Sequence, residues 1–142
     1  MRYYLDTNIL IFSLFGSGKS DLSSDTLDIL ADYSTVKLTS TVCIHELIHL
    51  CQIGKITIGK KKLLVNSDSI LDIVRDFDVS IVTVTERHLE KMTILPFHGD
   101  HRDPNDRLII AQAISDRIPL ISSDGNFSDY TKDGLEFIYN ER

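Results

Sequence analysis

No stretch of this 142-residue chain approaches the roughly 18 uninterrupted apolar residues of a membrane span, so a helical membrane protein is not expected. The opening segment MRYYLDTNILIFSLF has the apolar look of an export signal, but Asp6 interrupts it and no small-residue cleavage site follows; the expectation is a cytoplasmic protein. Cysteine is scarce. Cys43 and Cys51 lie eight positions apart on one predicted helix, about 12 Å along its axis and beyond disulfide reach, which leaves reduced core thiols rather than a redox pair or zinc knuckle. Positive charge is in deficit too: 15 Lys and Arg against 21 Asp and Glu give a net charge of -6. That balance argues against a protein that simply coats nucleic acid, though not against a nuclease whose acids bind metal. There is no internal repeat, low-complexity tract or flexible linker. With 42% hydrophobic and 25% charged residues, the length suffices for one core and is too short for two, so residues 1–142 read as one domain.

The order of elements follows from periodicity and punctuation. Residues 2–5 are a short apolar run ending at Asp6, and Asn8 to Phe15 continue that run at a spacing that fits, over the whole of 2–15, strand, turn, then helix. Gly16 to Ser20 reads as a loop; its GSGKS imitates the end of a phosphate-binding loop, but Ser13 stands where the full pattern needs glycine, and the acidic DLSSD follows. Ser23 or Ser24 caps a helix through about Tyr33 with Leu27, Ile29 and Leu30 inward. Val36–Thr39 is a strand, and Ser40 or Thr41 opens a helix through about Ile53 that Gly54 closes. A lysine-rich connection leads to a helix around Ser69–Phe77, a strand Val79–Val84 and a helix from Thr85 to about Leu95. After a polar loop between Pro96 and Gly99 come a helix from Asp103 to about Arg117 and strands Pro119–Ser122 and Leu135–Tyr139. Strands alternating with helices imply an α/β fold with a parallel sheet covered on both faces, and in such sheets ligands bind beyond the carboxyl ends of the strands.

Four acids sit where strands or helices meet that edge. In HRDPNDRLIIAQA, Asp103 fits the helix cap and Pro104 the first helical position, which puts Asp106 in the first turn of a helix that is apolar almost all round from Leu108 onward. Asp6 and Asp124 each follow a short apolar strand. Glu46 shares a helical stripe with Val42, Leu50 and Ile53, while His45, His49 and Gln52 form the polar side. Burying one carboxylate costs several kcal/mol unless a cation such as Arg107, a proton or a metal compensates. Two carboxylates about 4 Å apart repel by roughly 4 kcal/mol at an effective dielectric of 20, a cost that a hard divalent cation removes.

With these residues in place, the chain resembles the PIN-domain ribonucleases, most closely the VapC-type toxins of bacterial toxin-antitoxin pairs. LDTNIL, a mid-chain glutamate opening EL on a helix, DPNDRLIIAQA and LISSD match the four signature blocks in order, over nearly the whole chain. The resemblance implies a three-layer α/β/α sandwich around a central parallel sheet. It implies that Asp6, Glu46, Asp106 and Asp124 bind one or two Mg²⁺ or Mn²⁺ ions, with Thr7, Asn8, Asp103 and Ser122 in support. The implied reaction is in-line hydrolysis of an RNA phosphodiester by a metal-activated water, leaving 5'-phosphate and 3'-hydroxyl ends. It further implies a homodimer inhibited by a cognate antitoxin, and the charge of this chain favours an inhibitory segment carrying Arg or Lys. Asn105 departs from the pattern, since related toxins often have an aromatic or apolar residue there.

Other readings compete. HELIH, His45 to His49, fits the H-E-x-x-H pattern of zinc metalloproteases. Against it, residue 52 is Gln, no third ligand stands at a family spacing, and the acids at 6, 106 and 124 go unexplained. A stand-alone RNA-processing nuclease and a non-enzymatic binding module also remain. Lys55, Lys60, Lys61 and Lys62, with Arg102, are the candidate contacts to an RNA backbone; a lysine run is otherwise a solvated face. His98 and His101 flank the Asp103 helix and fit either a substrate contact or a polar loop.

Overall fold

The computed structural model describes residues 1–16 and 21–142; the loop reading of Gly16 to Ser20 therefore falls mostly outside the described residues. Strand β1 (Arg2–Leu5) passes directly into helix α1 (Thr7–Phe15) because Asp6 ends one and caps the other, its side chain accepting from the Thr7 amide. The strand and the helix stand where residues 2–15 predict them, and the turn expected between them is reduced to Asp6. Helix α2 (Ser24–Ala31) is capped by Ser23 and stops short of Tyr33, which is fully exposed. Its inward face is Thr26, Ile29 and Leu30, the i, i+3, i+4 set; Leu27 lies off that stripe and is 42% exposed, which corrects the expected inward position.

Strand β2 (Val36–Ser40) runs into α3 (Thr41–Gln52), capped by Ser40, and Gly54 follows the helix at φ +75°, where a side chain would be strained. The lysine-rich connection hides a small antiparallel hairpin, β3 (Thr57–Ile58) with β4 (Leu63–Leu64). Two-residue strands are too short for alternation to reveal them. A 3₁₀ turn (Ser67–Ser69) precedes α4 (Ile70–Asp76), then come β5 (Val79–Val82) and α5 (Glu86–Ile94). The β5 strand ends two residues earlier than expected, and the Val84 amide donates to Thr41 Oγ1 instead of to a neighbouring strand. Helix α6 (Pro104–Asp116) begins and ends as the sequence predicts, with the Asp103 side chain as cap and Arg117 in the left-handed region. Strand β6 (Leu120–Ser122), a 3₁₀ helix (Gly125–Asp133) and β7 (Phe137–Tyr139) complete the described chain. No helix among the described residues is long and apolar enough to cross a membrane.

Five strands form one parallel sheet in the order β5-β2-β1-β6-β7. The crossovers run outward from β1 to β5, then back past β1 to β6 and β7; with the right-handed sense that parallel strands take, this order places helices on opposite faces and gives the α/β/α layering. Tyr4, Leu5, Leu120 and Ile121 fill the centre of the sheet without exposure, against Ile9, Leu10, Leu47, Ile109 and Ile110 from the helices. The strand order reverses between β1 and β6, and Asp6 and Asp124 lie just beyond the carboxyl ends of those two strands. A crevice is expected at such a reversal point.

Candidate metal centre

The ends of β1 and β6, the first turn of α6 and the middle of α3 deliver the acids to one place. Asp6, Glu46, Asp106 and Asp124 line a single cleft of about 370 Å³, together with Thr7, Asn8, Ile11, Asp103 and Asn105. Asp6 is the most constrained. Its Oδ1 accepts from the Thr7 amide at 2.8 Å, and its Oδ2 accepts from Ser122 Oγ at 2.7 Å and Asn8 Nδ2 at 3.4 Å. Ser122 Oγ in turn accepts from the Asp124 amide at 3.1 Å, and Asn8 Oδ1 accepts from the Ser123 amide at 3.2 Å. Thus β1 and β6, adjacent in the sheet, are laced together at their ends by the side chains that orient Asp6.

Asp103 holds the Asp106 amide at 3.0 Å, which fixes the first turn of α6. Asp124 accepts from the Asn126 amide at 3.0 Å as cap of the 3₁₀ helix. Glu46 sits at the edge of the buried stripe of α3, which is Cys43, Ile44, Leu47 and Cys51 rather than the expected Val42, Leu50 and Ile53; Ile53 is 52% exposed. Arg107 does not compensate Glu46. Its guanidinium donates to the carbonyls of Leu95 and Pro96 and stacks 4.0 Å from the Phe97 ring centre. Among the described residues, no ion pair includes Asp6, Glu46 or Asp124.

The electrostatics record that lack. Burial pushes the Asp6 carboxyl up, against the hydrogen bonds from Ser122 and Thr7. Glu46 is pushed up to about 7 by burial and then by the charges of Asp6, Asp106 and Asp103. Burial raises Asp106 to about 6, opposed by the His101 hydrogen bond and helped by the charges of Asp6 and Asp103. The Thr7 hydroxyl is buried beside these groups with no hydrogen-bond partner of standard geometry. A His101 ring nitrogen and oxygens of Asp106 and Asp124 lie within 4.8 Å of one another. Converging carboxylates, of which Asp6, Glu46 and Asp124 have no cationic partner among the described residues, and a buried hydroxyl without a standard hydrogen bond are what a hard, oxygen-preferring divalent cation fits.

The other sequence candidates separate. His45 and His49 are exposed, and no third ligand converges on them among the described residues, so the zinc-protease pattern is a solvated helix face. Lys55, Lys60, Lys61 and Lys62 are all exposed around the hairpin; Lys60 and Lys62 line a separate recess with Phe15, Thr57 and Gly59. Arg102 is nearer the acids. It lines a hollow with His98, His101, Asn126 and Asp129 that shares Asp103 with the acidic cleft, and it stacks 4.7 Å from the Phe97 ring centre. Sequence reasoning left His101 undecided and did not find Tyr130. His101 bonds both Asp106 and Tyr130, the latter 29 positions away on a 3₁₀ helix that no apolar period announces.

The chain matches the PIN domain family over residues 3–133. No curated protein matches it. Among solved structures it is similar to a chain of VapBC2 from Rickettsia felis bound to a promoter DNA fragment, at 21% identity and a TM-score of 0.67, over 99% of this chain and 100% of that one. It is also similar to chains of VapBC-1 from nontypeable Haemophilus influenzae (18%, TM-score 0.65) and DNA-bound VapBC from Salmonella typhimurium (16%, 0.65), each over 98% of both chains. Likeness at these identities establishes the shared fold.

Proposed function

This chain belongs to the PIN-domain family, and on that premise we propose that it is a divalent-metal-dependent endoribonuclease serving as the toxin of a toxin-antitoxin pair. The observation that carries the proposal is the convergence of Asp6, Glu46, Asp106 and Asp124 on one cleft at the reversal point of the sheet, with no cationic side chain among the described residues to balance Asp6, Glu46 or Asp124. Those four residues would hold Mg²⁺ or Mn²⁺, which supplies charge neutralisation and Lewis-acid polarisation of a phosphate. The protein's own part is positioning. Ser122, Asn8 and the Thr7 amide leave Asp6 little freedom, and Asp103 sets the first turn that presents Asp106. The amino end of α6 also points its positive dipole end toward the anions gathered there. Arg102, beside the cleft, is placed to meet an RNA phosphate.

The partners follow from charge and from the neighbours. The similar solved structures are VapBC complexes, which supports a cognate antitoxin here. On a chain of net charge -6 with an acidic cleft, the inhibitory segment carries Arg or Lys, bidentate on a carboxylate. The working form is a single-domain chain, 1–142, in a cytoplasmic homodimer. The test incubates purified protein with bacterial RNA in Mg²⁺, Mn²⁺ or chelator, alongside Asp6→Asn and Asp106→Asn. Cleavage that needs metal and falls by several orders of magnitude in both folded variants is expected, as is slowed growth on expression of the wild type alone. Undiminished cleavage in either variant refutes the metal site. Metal-dependent cleavage with no growth defect and no small co-purifying protein replaces the toxin role with stand-alone RNA processing.

A further inference from the structure

Both ring nitrogens of His101 are engaged: Nδ1 lies 2.8 Å from the Tyr130 hydroxyl and Nε2 lies 3.2 Å from Asp106 Oδ2. Which nitrogen carries the hydrogen is decided at the far end of the chain of contacts. Arg107 is buried, and its guanidinium only donates; Nη1 points at the Tyr130 hydroxyl at 3.3 Å. Tyr130 has no exposure. Having accepted from Arg107, its hydroxyl must place its own hydrogen on an acceptor, and among the described residues that acceptor is His101 Nδ1. A hydrogen on Nδ1 would strand the buried tyrosine hydrogen. The ring is therefore the Nε2–H tautomer, and it donates to Asp106. Edge-on contacts with Phe127 and Tyr130, at 6.0 and 5.5 Å between ring centres, hold its plane.

We propose that Arg107, Tyr130 and His101 form a one-way hydrogen-bond relay that makes His101 a positioning residue for Asp106 and keeps its nitrogen out of the metal's coordination shell. His101, Asp106 and Asp124 are close enough to act as a mixed nitrogen-oxygen ligand set, and such a set would suit Zn²⁺. The relay forbids it, because the Nε2 lone pair is replaced by a hydrogen committed to Asp106 Oδ2. Asp106 Oδ1 makes no hydrogen bond among the described residues, so one oxygen is tied and the other is left for the cation. The centre then offers oxygen only, and its preference is for Mg²⁺ or Mn²⁺. Supporting hydrogen bonds of this kind are worth about 10- to 100-fold in metal affinity.

This inference rests on the metal-site reading for its consequence but not for its first observable. Long-range ¹H–¹⁵N spectra of the full-length, metal-free protein read the His101 tautomer directly; hydrogen on Nε2 in the wild type, and loss of that exclusive state in Tyr130→Phe, are expected. Hydrogen on Nδ1 in the wild type overturns the relay. Calorimetric titration with Mn²⁺ and Zn²⁺ then reads selectivity. Tyr130→Phe weakens Mn²⁺ binding about tenfold and raises the Zn²⁺ to Mn²⁺ affinity ratio, while His101→Leu loses about 10- to 100-fold of Mn²⁺ affinity. His101→Gln, whose amide can still donate to Asp106, restores most of it. An unchanged tautomer and an unchanged ratio in folded Tyr130→Phe overturn the proposal. A wild type that binds no metal overturns the metal centre and leaves the relay to be judged by the tautomer alone.

Discussion

Replacing Glu46 by Gln is expected to stabilise the metal-free protein and to remove most of the stabilisation that a bound divalent cation would add. Glu46 lies at about 7 in the fold against an ordinary 4.5, so its ionised form is penalised by burial and by the neighbouring acids. That difference converts to at most about 3 kcal/mol at about 1.4 kcal/mol per pH unit, and because Glu46 is partly exposed, solvent screening reduces it to about 1 to 2 kcal/mol. The sign follows from linkage. The folded value is raised, so the penalty is absent below the unfolded value of 4.5 and fully present above about 7. Gln keeps the shape without the charge. At pH 8 in chelator, Glu46→Gln is expected to melt about 3 to 6 °C above wild type, taking about 3 °C per kcal/mol for a chain of this size. At pH 4.5 the gain shrinks to a few tenths of a kcal/mol. Saturating Mg²⁺ at pH 8 raises the wild-type melting temperature and leaves the variant nearly unmoved. Differential scanning fluorimetry over the four conditions decides it. A variant less stable than wild type at pH 8, or equally stabilised at both pH values, refutes the claim that Glu46 is an uncompensated anion waiting for a cation.

Three further outcomes test other parts of the molecule. Charge reversal of Lys55, Lys60, Lys61 and Lys62 is expected to weaken RNA binding and flatten its salt dependence, and Arg102→Ala to reduce the salt slope by about 0.7 for a single strand; filter binding that is unchanged at every salt concentration assigns those residues to solvated surface. At the opposite end of the sheet, Asp116 accepts from Tyr4 at 2.6 Å and contacts Arg87 and His88. Burial pushes its carboxyl up, but the Tyr4 and His88 hydrogen bonds and the charges of His88 and Arg87 together hold it below the usual 3.8. Its contribution is therefore present at neutral pH and lost as pH falls through that lowered value. Asp116→Asn should cost about 2 kcal/mol at pH 7 and progressively less as acid protonates the carboxylate in denaturant melts; a pH-independent cost would show that its charge does not matter.

Local chemistry made much of this protein legible in advance. Asp103 and Pro104 start α6 where the sequence places it because capping and proline geometry act within one turn. Asp6 was legible as an acid at a strand end, although its double service as helix cap removed the expected turn before α1. Glu46 was found for a partly mistaken reason. The residues one turn away lie at the rim of the buried stripe, which only the packing of α3 on its neighbours defines. The inward direction of α2 and the hairpin Thr57–Leu64 were likewise settled by packing, since eight residues and two-residue strands carry too little period to decide.

The sequence by itself determined the alternation of elements and hence the parallel sheet, together with the four acids that its connections carry to one edge. Both depend on interactions within a few residues or on apolar period, and both survive without knowing what packs on what. Only the tertiary structure decided which charges lie next to which. Arg107 turns away from Glu46 to the Leu95 and Pro96 carbonyls, the lysines stand apart from the cleft, and Tyr130 reaches His101 across 29 positions. Those pairings depend on distances between segments, and a hydrogen bond or a Coulomb energy is set by those distances and by the water left between the groups, which separation along the chain does not encode.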